Sequence, residues 1–279
     1  MNSVRHLPRR RVLGASLLAG ALALGAGGTL APVSASPAHS TEPKPTIVLV
    51  HGVFADASGW YPTIDALQKA GYQVIAPANP LRDLSGDSTY VSSILDTIDG
   101  PVILVGHSYG GEVITNAARG HANVKALVYV AAFAPDQGES ALQLAGKFPG
   151  SKLPDALITR DYPLSDGSTG KDGYIDPAKF REVFAADLPS SQTRLMAAAQ
   201  RPGSVGGLAA PSGEPAWKNL PSWYVIPTND YVIPAAVQRY MAERAHSRTV
   251  EVKGSSHVVM MSHPDVVVRQ IQAAYLATR

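Results

Sequence analysis

Residues 102–111 read Val-Ile-Leu-Val-Gly-His-Ser-Tyr-Gly-Gly, and no other stretch narrows the folds open to this chain as much. A run of aliphatic residues feeds straight into Gly106-His107-Ser108-Tyr109-Gly110, and residues 112–119 then have helical character. Strand, sharp turn and helix, in that order, are the setting in which G-x-S-x-G raises a serine above the end of a sheet. Glycines on both sides of Ser108 leave the room that a tight, strained turn needs and that a Cβ would fill. Chance yields on the order of 0.2 such pentapeptides in a chain this rich in Gly and Ser. The strand before the motif and the helix after it give it its weight.

The same alternation runs through most of the sequence. Short apolar strands are expected at residues 46–50, 72–76, 102–105, 124–130, 223–226 and 249–252. Helices are expected at residues 60–70, 88–98, 235–245 and 264–278. In residues 88–98, Val91, Ile94, Leu95 and Ile98 fall on one helical face. Strands that alternate with amphipathic helices build a mainly parallel sheet covered on both faces, an α/β architecture. The rhythm breaks over about residues 135–215, which are rich in Pro, Gly and Ser and hold weakly amphipathic pieces at 176–186 and 192–200. A stretch of that length between two strands is a small cap rather than a structureless loop. The sequence contains no internal repeat.

The first 35 residues read as an export signal. Arg9-Arg10-Arg11-Val12-Leu13 opens an uncharged stretch that continues to Leu30, and Val33-Ser34-Ala35 offers small residues for cleavage. The arginine pair before Val-Leu resembles a twin-arginine signal, so a secreted or periplasmic protein is expected. Five glycines dilute the apolar stretch, and no stable membrane association is expected. Residues 36–45, which contain Pro and Ser, are expected to form a flexible lead-in to the domain at 46–279. Four of the 24 basic residues lie in the signal with no acid among them, so the remaining 20 are outnumbered by 22 acids. No basic patch is left for nucleic acid. The absence of cysteine excludes disulfides and thiolate metal sites. No cofactor and no metal are expected, and no feature fixes an oligomeric state.

A serine hydroxyl is a poor nucleophile at neutral pH and needs a base, which a carboxylate orients. In this fold the order along the chain is Ser, acid, His. His257 is the candidate base, because Gly254-Ser255-Ser256-His257 turns just past the last strand. His263, next to Pro264, fits a helix-capping position instead, and His51 and His107 fit positioning roles in their turns. Asp230, in Thr228-Asn229-Asp230 after the strand at 223–226, is the candidate acid, with Asp136 after the preceding strand as its rival. His51-Gly52-Val53-Phe54 ends the first strand. There Gly52 allows close passage, so the Val53 amide and the Tyr109 amide are the candidate oxyanion donors.

These residues resemble those of the α/β-hydrolases over nearly the whole of 46–279. The similarity is to a compact branch with methyl-salicylate esterases, hydroxynitrile lyases and bacterial esterase-like proteins. It is carried by residues 48–54, 104–111, 228–230 and 256–260, and by Phe184-Ala185-Ala186-Asp187-Leu188-Pro189 in the cap. The resemblance implies a Ser108–His257–Asp230 triad, oxyanion donors at Val53 and Tyr109, and six strands without the two extra N-terminal ones of larger members.

The expectation is a cofactor-free serine hydrolase acting on a small-molecule carboxylic ester through an acyl-enzyme. One alternative is a hydroxynitrile-lyase-type reaction on the same triad. The related lyases carry Thr where this chain has Gly52 and Lys where it has Val258. Another is a non-catalytic binder, which usually lacks a triad member. Apolar pocket candidates are Phe54, Trp60 and Tyr109 early in the chain, Tyr162, Phe180 and Phe184 in the cap, and Met260 with Met261 after the histidine. They suit short-to-medium acyl chains or aromatic esters.

Overall fold

A computed structural model describes residues 43–279. The expected signal at 1–35 and most of the lead-in at 36–45 lie outside the described residues. The chain enters through β1 (Thr46–Val50), crosses by α1 (Tyr61–Lys69) to β2 (Val74–Ile75), and returns by α2 (Leu84–Leu95) to β3 (Val102–His107). From there α3 (Tyr109–Ala117) leads to β4 (Val124–Val130). The inserted region holds α4 (Ala141–Ala145), α5 (Leu153–Ala156), β5 (Leu157–Pro163), β6 (Thr169–Ile175), α6 (Phe180–Phe184), α7 (Ser190–Ala199), β7 (Gly203–Ser204) and α8 (Val205–Ala209). The sheet resumes with β8 (Ser222–Pro227), α9 (Ala235–Arg244) and β9 (Arg248–Val252), and the chain closes with α10 (Val259–Ser262) and α11 (Pro264–Thr278).

Six strands pair in the order β2-β1-β3-β4-β8-β9, and every pairing is parallel. The expected α/β sheet with helices on both faces is therefore present. β1, β3 and β8 are buried at every position, as strands covered on two faces must be. The order reverses between β1 and β3, because the chain first winds outward to β2 and then back past β1. At such a switch point the loops leaving the C-terminal strand ends diverge and open a crevice, where open α/β sheets bind their ligands. The turns after β1 and β3, which hold Val53 and Ser108, flank it.

Three details differ from the sequence expectation. β2 has two residues rather than five, since Pro77 cuts short a strand at the sheet edge. α2 starts at Leu84 rather than 88, because the Asp83 side chain accepts the Gly86 amide and caps the helix four residues earlier. The cap contains a second, antiparallel sheet, β5-β6-β7, and only Phe180–Phe184 of its weakly amphipathic piece at 176–186 is helical. Among the described residues, no helix is long and apolar enough to cross a membrane.

Candidate active site

Ser108 sits between β3 and α3 with φ 55° and ψ −126°, left-handed backbone that a non-glycine residue adopts at a cost of about 1–3 kcal/mol. Its neighbours hold it there. The Ser108 amide donates to Val130 O at 3.3 Å, and its carbonyl accepts from Gly111 N and Phe133 N, both at 3.0 Å. A Cβ at Gly106 would stand 2.5 Å from Gly110 O, so the strand can fold back onto its helix only without one. A Cβ at Gly52 would stand 2.6 Å from Ser108 Cβ. The turn after β1 thus runs directly against the elbow. Ser108 occupies the N-cap position of α3 without a capping hydrogen bond from its side chain, which leaves the hydroxyl uncommitted to the helix.

The turn after β1 is fixed by His51. Its Nδ1–H donates to Gly52 O at 2.9 Å, while its Nε2 accepts the Asn79 amide at 3.1 Å. Asn79 Nδ2 also donates to His51 O at 3.1 Å. Burial lowers the His51 pKa to about 4, outweighing the bond to Gly52, so the ring stays neutral and in one tautomer. Phe54, at φ 64°, donates its amide to Arg201 O in the cap at 2.9 Å. The Tyr109 amide lies 3.0 Å from where a Gly52 Cβ would be, so a side chain at residue 52 would crowd that amide. The Tyr109 side chain, one of the pocket candidates, is buried. Its phenol donates to the buried Asp87 at 2.9 Å and anchors α3 to α2, and burial raises the pKa of both groups.

His257 and Asp230, which follow β9 and β8, meet with their side chains fully buried and His257 Nδ1 2.8 Å from Asp230 Oδ2. Asp230 Oδ1 accepts the amides of Val232 at 2.8 Å and Ile233 at 2.9 Å, and Oδ2 also accepts from Gln238 Nε2 at 2.8 Å. A carboxylate engaged by these donors is an acceptor toward the ring, so Nδ1 carries the imidazole proton. His257 Nε2 is then the basic nitrogen, and it is buried with no hydrogen-bond partner. His107 Nε2–H donates to the His257 carbonyl at 3.0 Å, and the two rings lie 4.7 Å apart. Burial, reinforced by the neighbouring His257, holds the His107 pKa well below the ordinary histidine value. Asp136, the rival acid, is engaged by Lys218 at 2.9 Å and by the Gln137 amide at 2.7 Å. His263 stands at the N-cap position of α11.

Four supporting residues carried no sequence signal of their role. Asn79, Asp87 and Gln238 act through contacts from distant elements, and only the folded chain brings them into place. Asp187 lies in the cap motif already noted, but nothing in the motif says what it touches. A small cavity of about 40 Å³ borders Phe54, Met196, Val258 and Met260 together with the polar Asp56 and Gln200, next to both the turn after β1 and the segment after His257. A larger groove of about 870 Å³ lies elsewhere, between α2, α3 and residues 210–213, and none of the five candidate residues lines it. Among the described residues, no three His, Asp or Glu side chains are grouped as a metal site would require.

The sequence model of the Alpha/beta hydrolase family matches residues 47–270. Over 113 residues the chain is 39% identical to a carbendazim hydrolyzing esterase of Nocardioides sp., covering 36% of this chain and 47% of that protein. The chain thus spans about half the length of that relative. It is 28% identical over 243 residues to a pyrethroid hydrolase of Sphingobium wenxiniae, covering 78% of this chain and 83% of that one. The crystal structure of polyneuridine aldehyde esterase superposes with a TM-score of 0.71 at 21% identity, over 83% of this chain and 99% of the other. At that identity the likeness speaks for the fold alone.

Proposed function

The chain belongs to the Alpha/beta hydrolase family, and from that premise we propose that it is a carboxylic ester hydrolase working through an acyl-enzyme on Ser108. One observation carries the reading. Asp230 engages His257 through its Nδ1 and leaves the buried Nε2 without a hydrogen-bond partner, while the Ser108 side chain makes no capping bond to its helix. His257 takes the Ser108 proton as the oxygen attacks the ester carbonyl. The oxyanion forms in front of the Val53 and Tyr109 amides, and one such donor is worth about 3 kcal/mol of transition-state stabilisation. His257 then protonates the leaving alcohol, and water resolves the acyl-enzyme by the reverse roles. Apo sites often hold these contacts loosely and tighten them only around substrate.

The relatives named for ester and pyrethroid hydrolysis support the class. Val258, directly after His257, is apolar and fully buried, so this position supplies no ammonium for a departing cyanide. The small cavity beside Phe54 and Met260 has room for about one small group and none for a long acyl chain. A panel of p-nitrophenyl esters from acetyl to palmitoyl tests the proposal. Turnover is expected, highest at the short end and falling as the acyl chain lengthens. A protein that turns over none of them and takes no fluorophosphonate label would be a binder on a hydrolase scaffold.

A further inference from the structure

The turn after α6 leaves the cap and grips the segment that carries His257. Phe184, at the end of α6, packs its ring 5.1 Å from the His257 ring and meets Phe54 edge-on at 6.3 Å. Three residues later, Asp187 Oδ2 accepts the Ser256 amide and the Ser255 hydroxyl, both at 3.0 Å. The Ser256 hydroxyl donates to Asp187 Oδ1. One cap carboxylate therefore takes three donors from the two residues immediately before His257. Burial raises the pKa of this carboxyl, but the bonds from Ser256, Ser262 and Ser255 outweigh it and hold the pKa below the ordinary value. Asp187 is thus ionised at neutral pH, and none of the catalytic steps above uses it.

We infer that Asp187 is a positioning residue for His257, holding Ser255-Ser256 so that the imidazole stands over Ser108 only while the cap is seated. This rests on the reading of His257 as the base. His257 itself is held by Asp230 and His107, and further anchoring of the preceding residues comes from beside the site: Asn229 donates to Ser255 O at 3.0 Å, and Gly254 donates to Thr228 Oγ1 at 2.9 Å. Those bonds fix the start of the segment, whereas the Asp187 bonds fix its last residues before the histidine. Hydrogen bonds to an ionised acceptor are roughly twice as strong as neutral ones, and this acceptor is shared by three donors. Asp187 is itself exposed to solvent, so its weight lies in geometry rather than in stability. A displaced general base is costly, since about 1 Å of misplacement can cost 100-fold in rate.

The test compares kcat and KM for p-nitrophenyl acetate, and the rate of inactivation by a fluorophosphonate, in the wild type, Asp187→Ala and Asp187→Asn. Asp187→Ala should lower kcat by about 10- to 100-fold with KM nearly unchanged, and should slow inactivation by a similar factor. Asp187→Asn should recover most of the activity. Its Oδ1 can accept the Ser256 amide and the Ser255 hydroxyl, while its NH₂ donates to the Ser256 oxygen. Ser256→Ala, which removes one donor and keeps the backbone bond, should cost about fivefold in kcat and carries the test should Asp187→Ala not fold. Wild-type kcat in Asp187→Ala, a change confined to KM, or equal loss in the Ala and Asn variants would overturn the assignment. A wild type inert to both ester and fluorophosphonate would instead overturn the hydrolase reading on which it rests.

Discussion

The elbow helix carries a titratable side chain that the proposed chemistry does not touch. Glu112 is fully buried in α3, and neither of its oxygens has a hydrogen bond of normal geometry. Burial raises its pKa well above the ordinary 4.5, and a marginal contact from the Ala141 amide offsets little of that. The unfolded chain releases this proton above about pH 4.5, while the folded chain keeps it, so stability falls as pH rises between the two values. His51 acts with the opposite sign. Its folded pKa of about 4 lies below the unfolded 6.5, so its contribution is present above 6.5 and is lost as pH falls toward 4. Glu112→Gln keeps the shape and removes the titration. Its melting temperature should exceed that of the wild type at pH 7.5, by about 2–4 °C per kcal/mol gained, and the difference should close at pH 4. A difference that does not change with pH would contradict the burial account.

At the scale of elements, α2 shows how a side chain sets a boundary that periodicity does not. Its apolar face at Val91 and Leu95 was legible, but its start depends on the Asp83 carboxylate accepting Gly86 N at 2.7 Å. Asp83→Ala should cost about 1 kcal/mol and lower the melting temperature by roughly 2–4 °C with kcat unchanged, as thermal unfolding and an ester assay would show. An unaffected melting temperature would show that the cap carries no stability. The β5–β6 hairpin escaped notice for a related reason. Most of β5 is exposed, so it lacks the apolar alternation that marks a half-buried strand. The Asp166-Gly167 pair at its turn, with Gly167 at φ 83° and Leu164 N bonded to Ser168 O at 2.9 Å, was the available signal. The buried parallel strands were easier to read, since burial on two faces demands uninterrupted apolar runs.

Across the whole molecule, groups spread from His51 to His257 converge at one edge of the sheet because parallel strands deliver all their C-terminal ends to the same side. Ser108, Asp230 and His257 could be named as candidates for that reason: each follows a recognisable strand. What holds them was not readable. The bonds from Asn79, Gln238 and Asp187 join segments far apart in sequence, and no local pattern encodes such a pairing. The same geometry separates the two candidate acids, since Asp230 touches His257 while Asp136 is held by Lys218. The account therefore stands on a comparison of Asp230→Asn with Asp136→Asn, measured as kcat on one p-nitrophenyl ester at neutral pH. Asp230→Asn should lose about ten-thousandfold in kcat, because the imidazole is left in the wrong tautomer and unsupported as it charges. Asp136→Asn should stay within about twofold of wild type, as a partly exposed surface ion pair contributes little. A crippled Asp136→Asn beside an active Asp230→Asn would contradict the account.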